Sequence, residues 1–240
     1  MKRYIIFLLC VFATNIIHGD SAIPDQLRSA AALYEQKEYD QASVLLRDIH
    51  PKNSVIWYNM GNCAYKKNEY EYALSYWRCA YASASSDVKK HIAYNIDVVE
   101  QKMGRSNQTS FVKNIYDAYR SIPLIIFQLF FLLPWFLLLL FIKRYKHGTK
   151  YKSLFFVSLL FMTIVSGVVL GFKYHIIKQR RGIVMKHQVS LFAGPDEQYH
   201  ILGFLDGASE VVVHEQRPSW YKISYKQGSG WLMQDSIVVV

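Results

Sequence analysis

The sequence predicts a multi-domain membrane protein in which an all-α repeat solenoid, an α-helical transmembrane hairpin and a small all-β barrel follow one another. Three observations predict it. From Ile122 to Ile142 the only polar side chain is Gln128, and from Leu154 to Phe172 nothing is charged. The segment before these runs repeats itself at a shift of 31 residues, and in the segment after them the apolar period changes from about 3.6 to 2.

At the N-terminus, Met1-Lys2-Arg3 and the apolar run of residues 4–17 read as a signal segment, residues 1–19, with Gly19 before a plausible cut. Cleaved or retained as an anchor, it exports the chain beyond residue 19. Cys10 does not sit in a lipidation box, because Phe7-Leu8-Leu9 lacks small residues, and it leaves with a cleaved signal. That makes Cys63 and Cys79 the mature thiols. On a helical hairpin turning near Asn68 they are offset too far along the axis for a relaxed disulfide, so both read as small buried residues.

Residues 20–106 form the repeat domain. Tyr34-Glu35-Gln36-Lys37-Glu38-Tyr39-Asp40-Gln41-Ala42 lies over Tyr65-Lys66-Lys67-Asn68-Glu69-Tyr70-Glu71-Tyr72-Ala73, and the same shift pairs Ala30 with Gly61 and Leu46 with Trp77. Small residues at Gly61, Ala73 and Ala80 let antiparallel helices approach, while Trp57, Met60 and Trp77 fill the layer between them. On these residues the segment resembles the tetratricopeptide repeat (TPR) family, an all-α TPR solenoid. Ala64 stands where an aromatic is usual, and the first copy is short near His50-Pro51. A half unit comes next, with Ser85-Ser86-Asp87 as a cap and Val88, Ile92, Ile96, Val99 and Met103 on one face of a terminal helix. The resemblance implies a concave groove that takes a peptide or helix, lined by Tyr58, Asn59, Asn62, Tyr65 and Lys66. The paired lysines of a carboxylate clamp have no match. Two and a half repeats bury little core, so the array is expected to lean on a partner or on the membrane. Residues 107–121 then read as an interfacial linker helix, with Phe111, Val112, Ile115 and Tyr119 on one face.

Residues 122–142 and 153–173 are each long enough to cross a hydrocarbon core of about 30 Å at a helical rise of about 1.5 Å. The loop 143–152 between them carries five fixed positive charges and is expected in the cytoplasm. The hairpin therefore sends both flanking domains to the outer side, in agreement with the exported N-terminus. Pro134 lies mid-span and frees the carbonyl of Phe130, which predicts a kink. Gly167 and Gly171 form a small-residue face for helix packing, within the hairpin or between copies. The basic linker 174–181, with Lys173 before it, runs against the positive-inside rule, but the two export signals outweigh it. The formal net charge of +10 resides almost wholly here, because residues 121–181 hold nine basic and no acidic side chains. The flanking domains are near neutral, so a phosphate-backbone footprint is missing and no nucleic acid is expected.

Residues 182–240 predict strands at 182–186, 201–205, 210–214, 221–225, 231–233 and 237–240, with Ala193-Gly194-Pro195, Asp206-Gly207, Arg217-Pro218-Ser219 and Gly228-Ser229-Gly230 as turns. The order Gly194-Pro195, Leu205-Asp206-Gly207, Trp220-Tyr221-Lys222-Ile223 and Gly230-Trp231-Leu232 resembles bacterial SH3 (SH3b) domains, an all-β SH3-like barrel. The resemblance implies binding of cell-wall peptides or proteins. Tyr199, Trp220, Tyr225 and Trp231 are the aromatic set suited to an extended ligand, against the plainer reading that Trp220 and Trp231 belong to the core.

Neither HExxH, GxSxG, a P-loop nor a glycine-rich dinucleotide turn occurs, and the eight histidines stand singly. No catalytic residue, metal site or cofactor is expected. The order signal, TPR, two spans, SH3b resembles the BatE-like proteins of bacterial aerotolerance (Bat) operons. Their companions are membrane proteins with von Willebrand A domains and a MoxR-type ATPase. The resemblance implies a two-pass protein of the bacterial inner membrane, with both soluble modules outside. There it would serve as an envelope scaffold for protein partners or, alternatively, as a peptidoglycan receptor.

Overall fold

The computed structural model describes residues 22–105, 118–144, 150–225 and 228–240. The expected signal segment, most of the linker helix and the centre of the basic loop lie outside the described residues. The described part comprises a helical array, a pair of long apolar helices and a seven-stranded antiparallel sheet.

The array has five helices, α1 (Ala22–Glu35), α2 (Tyr39–Asp48), α3 (Ser54–Lys66), α4 (Tyr70–Ser83) and α5 (Ser86–Lys102), each packed on the one before it. The 31-residue shift is a structural repeat. Lys37 and Asn68 both adopt positive φ (66° and 63°). The next residues, Glu38 and Glu69, share one backbone conformation. Equivalent hydrogen bonds close the two turns: Glu38 N donates to Leu33 O as Glu69 N does to Ala64 O. Even the rings flanking each turn pair alike, Tyr34 with Tyr39 and Tyr65 with Tyr70. The Asn53 side chain caps α3 by accepting from Ile56 N at 2.9 Å. One core cluster (Ala42, Leu46, Ile56, Met60) joins α1, α2 and α3, and a second (Leu74, Trp77, Ile92, Val99) serves the later helices. Cys63 and Cys79 are free and buried.

The apolar helices are α6 (Leu124–Arg144) and α7 (Lys150–Lys178). Both are long and apolar enough to cross a membrane, and only 11% of each apolar window is buried inside the protein. The core helix of a soluble domain would be mostly covered. Helix α6 runs through Pro134, which is buried in the seam together with Leu138, Leu159, Thr163 and Ser166. Thr163 and Ser166 return their hydroxyls to carbonyls of their own helix, so burying them leaves no donor orphaned. A Cβ on Gly167 would lie 3.2 Å from the Phe131 ring, whereas one on Gly171 would meet nothing within 4 Å. Gly167 thus belongs to the seam inside the hairpin; Gly171 does not.

Where a basic linker over 174–181 is expected, α7 continues to Lys178 and β1 begins at Arg180. Only Gln179 separates helix from strand. Lys173 is fully buried: its ammonium donates to Tyr119 O (2.7 Å) and Arg120 O (2.8 Å), at the end of the helical stretch 118–121, and the Tyr119 hydroxyl returns a bond to Val169 O. A cation at the negative end of a helical turn is compensated locally, which accounts for a lysine buried at this place.

The strands are β1 (Arg180–Val184), β2 (Gln188–Phe192), β3 (Ile201–Asp206), β4 (Glu210–Arg217), β5 (Trp220–Tyr225), β6 (Gly228–Met233) and β7 (Ile237–Val239), in the sheet order β3-β2-β6-β5-β4-β1-β7. The expected barrel is not closed, because β3 and β7 end the ladder as edges. Strand β2 is an addition to the expected set. Gly228-Ser229-Gly230, expected as a turn, opens β6 instead. There Gly230 lets β6 pass close to β2, since a Cβ would lie 2.6 Å from Leu191 Cγ and 2.9 Å from Phe192 O. Val184, Leu205, Val211, Ile223 and Leu232 make the sheet's core.

The array and the sheet touch. Ser75 Oγ lies 3.0 Å from Val184 O, Arg78 donates to Ala208 O, and Arg105 donates to Gly207 O at 3.1 Å.

Candidate functional site

The first helices of the two repeats, α1 and α3, enclose a cavity of about 550 Å³. Leu27, Ala30, Ala31, Leu46 and Cys63 give it an apolar floor, and Arg28, Glu35, Asn59 and Asn62 a polar rim. Residues separated by the repeat shift both line it, Arg28 with Asn59 and Ala31 with Asn62. The Asn62 carbonyl oxygen accepts from Trp77 Nε1 at 3.2 Å, which fixes the side chain and leaves its NH2 group as the free donor. Burial pushes the Tyr34 phenol on the same wall above its ordinary value, so it stays a neutral hydrogen-bonding group. Burial likewise pushes the Cys63 thiol up to about 11 and the Cys79 thiol up to about 12, which removes the thiolate that nucleophilic chemistry would need.

Of the five expected groove residues, the cavity brings together Asn59 and Asn62. Tyr58 and Tyr65 turn toward α5, where their hydroxyls accept from Asn95 Nδ2 (3.1 Å) and Lys102 Nζ (2.8 Å). Lys66 is exposed and outside the cavity. The contribution of α1, through Arg28, Tyr34 and Glu35, was absent from the expected set. The repeat register carries that signal, since shifting Asn59 and Asn62 back by 31 gives Arg28 and Ala31.

The four aromatic residues of the sheet do not converge. Trp220 is half-buried, meets Phe192 edge-on at 5.4 Å, and walls an open cavity of about 690 Å³ with Asp196, Glu197, Met233 and Asp235. Lys186, 2.6 Å from Asp235, holds that carboxyl below the usual carboxylate range. Trp231 is only 6% exposed, under the Arg217 guanidinium at 4.9 Å, and is a core residue. Tyr225 packs against the sheet's core. Tyr199 is 51% exposed and lies over Gly194, where a Cβ would come within 2.6 Å of the ring.

Among the described residues no group of three or more His, Cys, Asp or Glu side chains is placed to hold a metal ion. Among the described residues one imidazole lies beside a hydroxyl, His214 Nε2 at 2.8 Å from Ser224 Oγ, an exposed pair on β4 and β5 that lines neither cavity. No known protein family matches the chain, and no curated protein matches it either.

Proposed function

We propose that this protein is a membrane-anchored scaffold of the bacterial envelope, with a TPR-type groove holding a segment of a protein partner and an SH3b-type sheet binding a second target. Its two apolar helices cross the inner membrane as a hairpin, and both soluble units stand on the outer face. The observation that carries this reading is the contact between array and sheet. Ser75 and Arg78 precede both spans and Val184 and Ala208 come after them, so these residues can meet only on one face of the bilayer. Tethering both units to one hairpin raises the effective concentration of each for a shared target.

The α1–α3 cavity suits a partner side chain, with Asn59 and Asn62 positioned for the backbone of the segment that carries it. The domain order, through its resemblance to BatE-like proteins, names von Willebrand A-domain membrane proteins and a MoxR-type ATPase system as partners. Co-purification with a von Willebrand A-domain protein should be lost on Asn59→Arg, which fills the rim without touching the Trp77 bond. Retention of the partner by that variant would contradict the groove assignment.

A second reading, a peptidoglycan receptor, is favoured by the half-buried Trp220 at the open cavity. Pull-down of the full chain with purified peptidoglycan separates the two. Binding lost on Trp220→Ala, with the fold intact, supports the receptor; absence of binding by the unaltered chain supports the adaptor.

A further inference from the structure

We propose that the sheet is the terminal cap of the helical array, seated on the flank where a sixth array helix would pack, with Arg78 as the hub of the seat. Each of the first four array helices has a successor packed on it; among the described residues α5 has none in the array. The flank left open is formed by α4 and α5, and the sheet end that meets it consists of the β1–β2 and β3–β4 turns.

Glu71, Ser75 and Arg78 lie at positions i, i+4 and i+7 of α4, on one stripe facing the sheet. Ser75 is fully buried against Val184 O. Arg78 donates to Ala208 O, pairs with Glu100 of α5, and holds its Nε 3.9 Å from Glu210 of β4. Arg105 spans Gly207 O (3.1 Å) and Glu71 (2.7 Å), and Glu71 also meets His187. Two carbonyls at the sheet's end, those of Gly207 and Ala208, thus find donors on the array, and Ser75 Oγ approaches a third, Val184 O, which also accepts from Ala208 N.

The contact is more than polar. Ala208, at φ 65° in the β3–β4 turn, is 0% exposed and belongs to the same core cluster as Leu74, Ile92 and Val99. A sheet residue therefore completes the core of the helices. Glu100 is only 5% exposed, and Arg78 is its ion-pair partner, so removing the guanidinium strands a buried carboxylate as well as undocking the sheet. The Arg105–Glu71 and Arg78–Glu210 pairs keep part of each side chain in solvent (33% and 19%, 17% and 43%) and so are partly open to screening by salt. The α1–α3 groove lies at the far end of the array and stays free when the cap is seated. The inference uses the scaffold reading only in needing both units on one face; protease that reaches neither unit from outside fails the envelope scaffold while exchange data still report the cap.

Hydrogen exchange of the full chain in detergent micelles tests it. Arg78→Gln should speed exchange at least tenfold in α5 and the 206–210 turn while leaving α1–α2 and β5–β6 unchanged; Ala208→Lys should act in the same direction. Unchanged exchange in α5 of either folded variant overturns the proposal, as does a uniform acceleration of all units. Should neither variant fold, the unaltered chain decides. Raising NaCl from about 0.05 to about 1 M shortens the screening length from roughly 14 Å to 3 Å, and faster exchange confined to α5 and the turn supports the cap. No change overturns it.

Discussion

Gly61→Ala probes the packing on which the array's groove depends. A Cβ at residue 61 would lie 2.4 Å from Trp77 Cδ1 and 2.5 Å from Nε1, distances that real Cβ atoms do not reach. The indole cannot swing aside freely: it is 3% exposed, and its N–H donates to Tyr58 O and Asn62 Oδ1, each at 3.2 Å. Overpacking costs about 1–3 kcal/mol, and loss of the indole hydrogen bonds about 0.5–1.5 kcal/mol. Replacing glycine by alanine inside a helix returns about 1 kcal/mol. The net loss is about 0.5–3.5 kcal/mol, or roughly two- to four-hundredfold faster hydrogen exchange in α3 and α4. Trp77→Phe makes room, so the cost of Gly61→Ala should shrink in that background, a coupling that a double-mutant cycle reads directly. Exchange in α3 and α4 that stays unchanged or slows in Gly61→Ala would refute the close-approach argument.

Two further outcomes concern buried groups. Cys63 and Cys79 hold their protons to about pH 11 and about pH 12 in the folded chain, whereas the unfolded chain releases them near about pH 8.5. The folded state therefore binds more protons above that pH, and stability falls as pH rises from about 9 toward 11. The unfolding midpoint should drop more steeply across that window than in Cys63→Ala/Cys79→Ala; parallel curves would contradict it. Lys173→Met should destabilise the hairpin in micelles by about 1.5–3 kcal/mol, the worth of a hydrogen bond to a charged group. Lys178→Met, which loses only a cation over the Tyr174 ring at 4.5 Å, should leave the thermal midpoint in place; equal losses in the two variants would count against the Lys173 latch.

Local features were legible in the sequence. The 31-residue shift carries its own turn geometry, because Lys37 and Asn68 must both enter the left-handed region to reverse the chain. The two long apolar helices declare themselves by composition. Strand β2 escaped because only Val189 and Leu191 of its five residues point inward, too few for a period-2 signal to stand out. Gly230 misled for a different reason. It looks like a turn residue, but the close passage of β6 over Leu191 is what requires it. The docking of sheet on array was not legible at all. Arg78 and Ala208 are 130 residues apart, and nothing local to either announces a partner. Lys173 read as an anomaly of topology because its carbonyl partners lie more than 50 residues upstream. In the groove, Asn59 and Asn62 were found from one repeat, whereas the facing wall needed the register of both.

Sidedness is the claim on which the scaffold rests, and a membrane-impermeant maleimide measures it. Single cysteines at Lys66 in the array and Phe204 in the sheet, both exposed, report in a Cys10→Ser chain against the buried thiols of Cys63 and Cys79. In intact spheroplasts both positions should label from outside, without detergent. Labelling of one position alone, with the other reached only after permeabilisation, would contradict a hairpin that holds both units on one face.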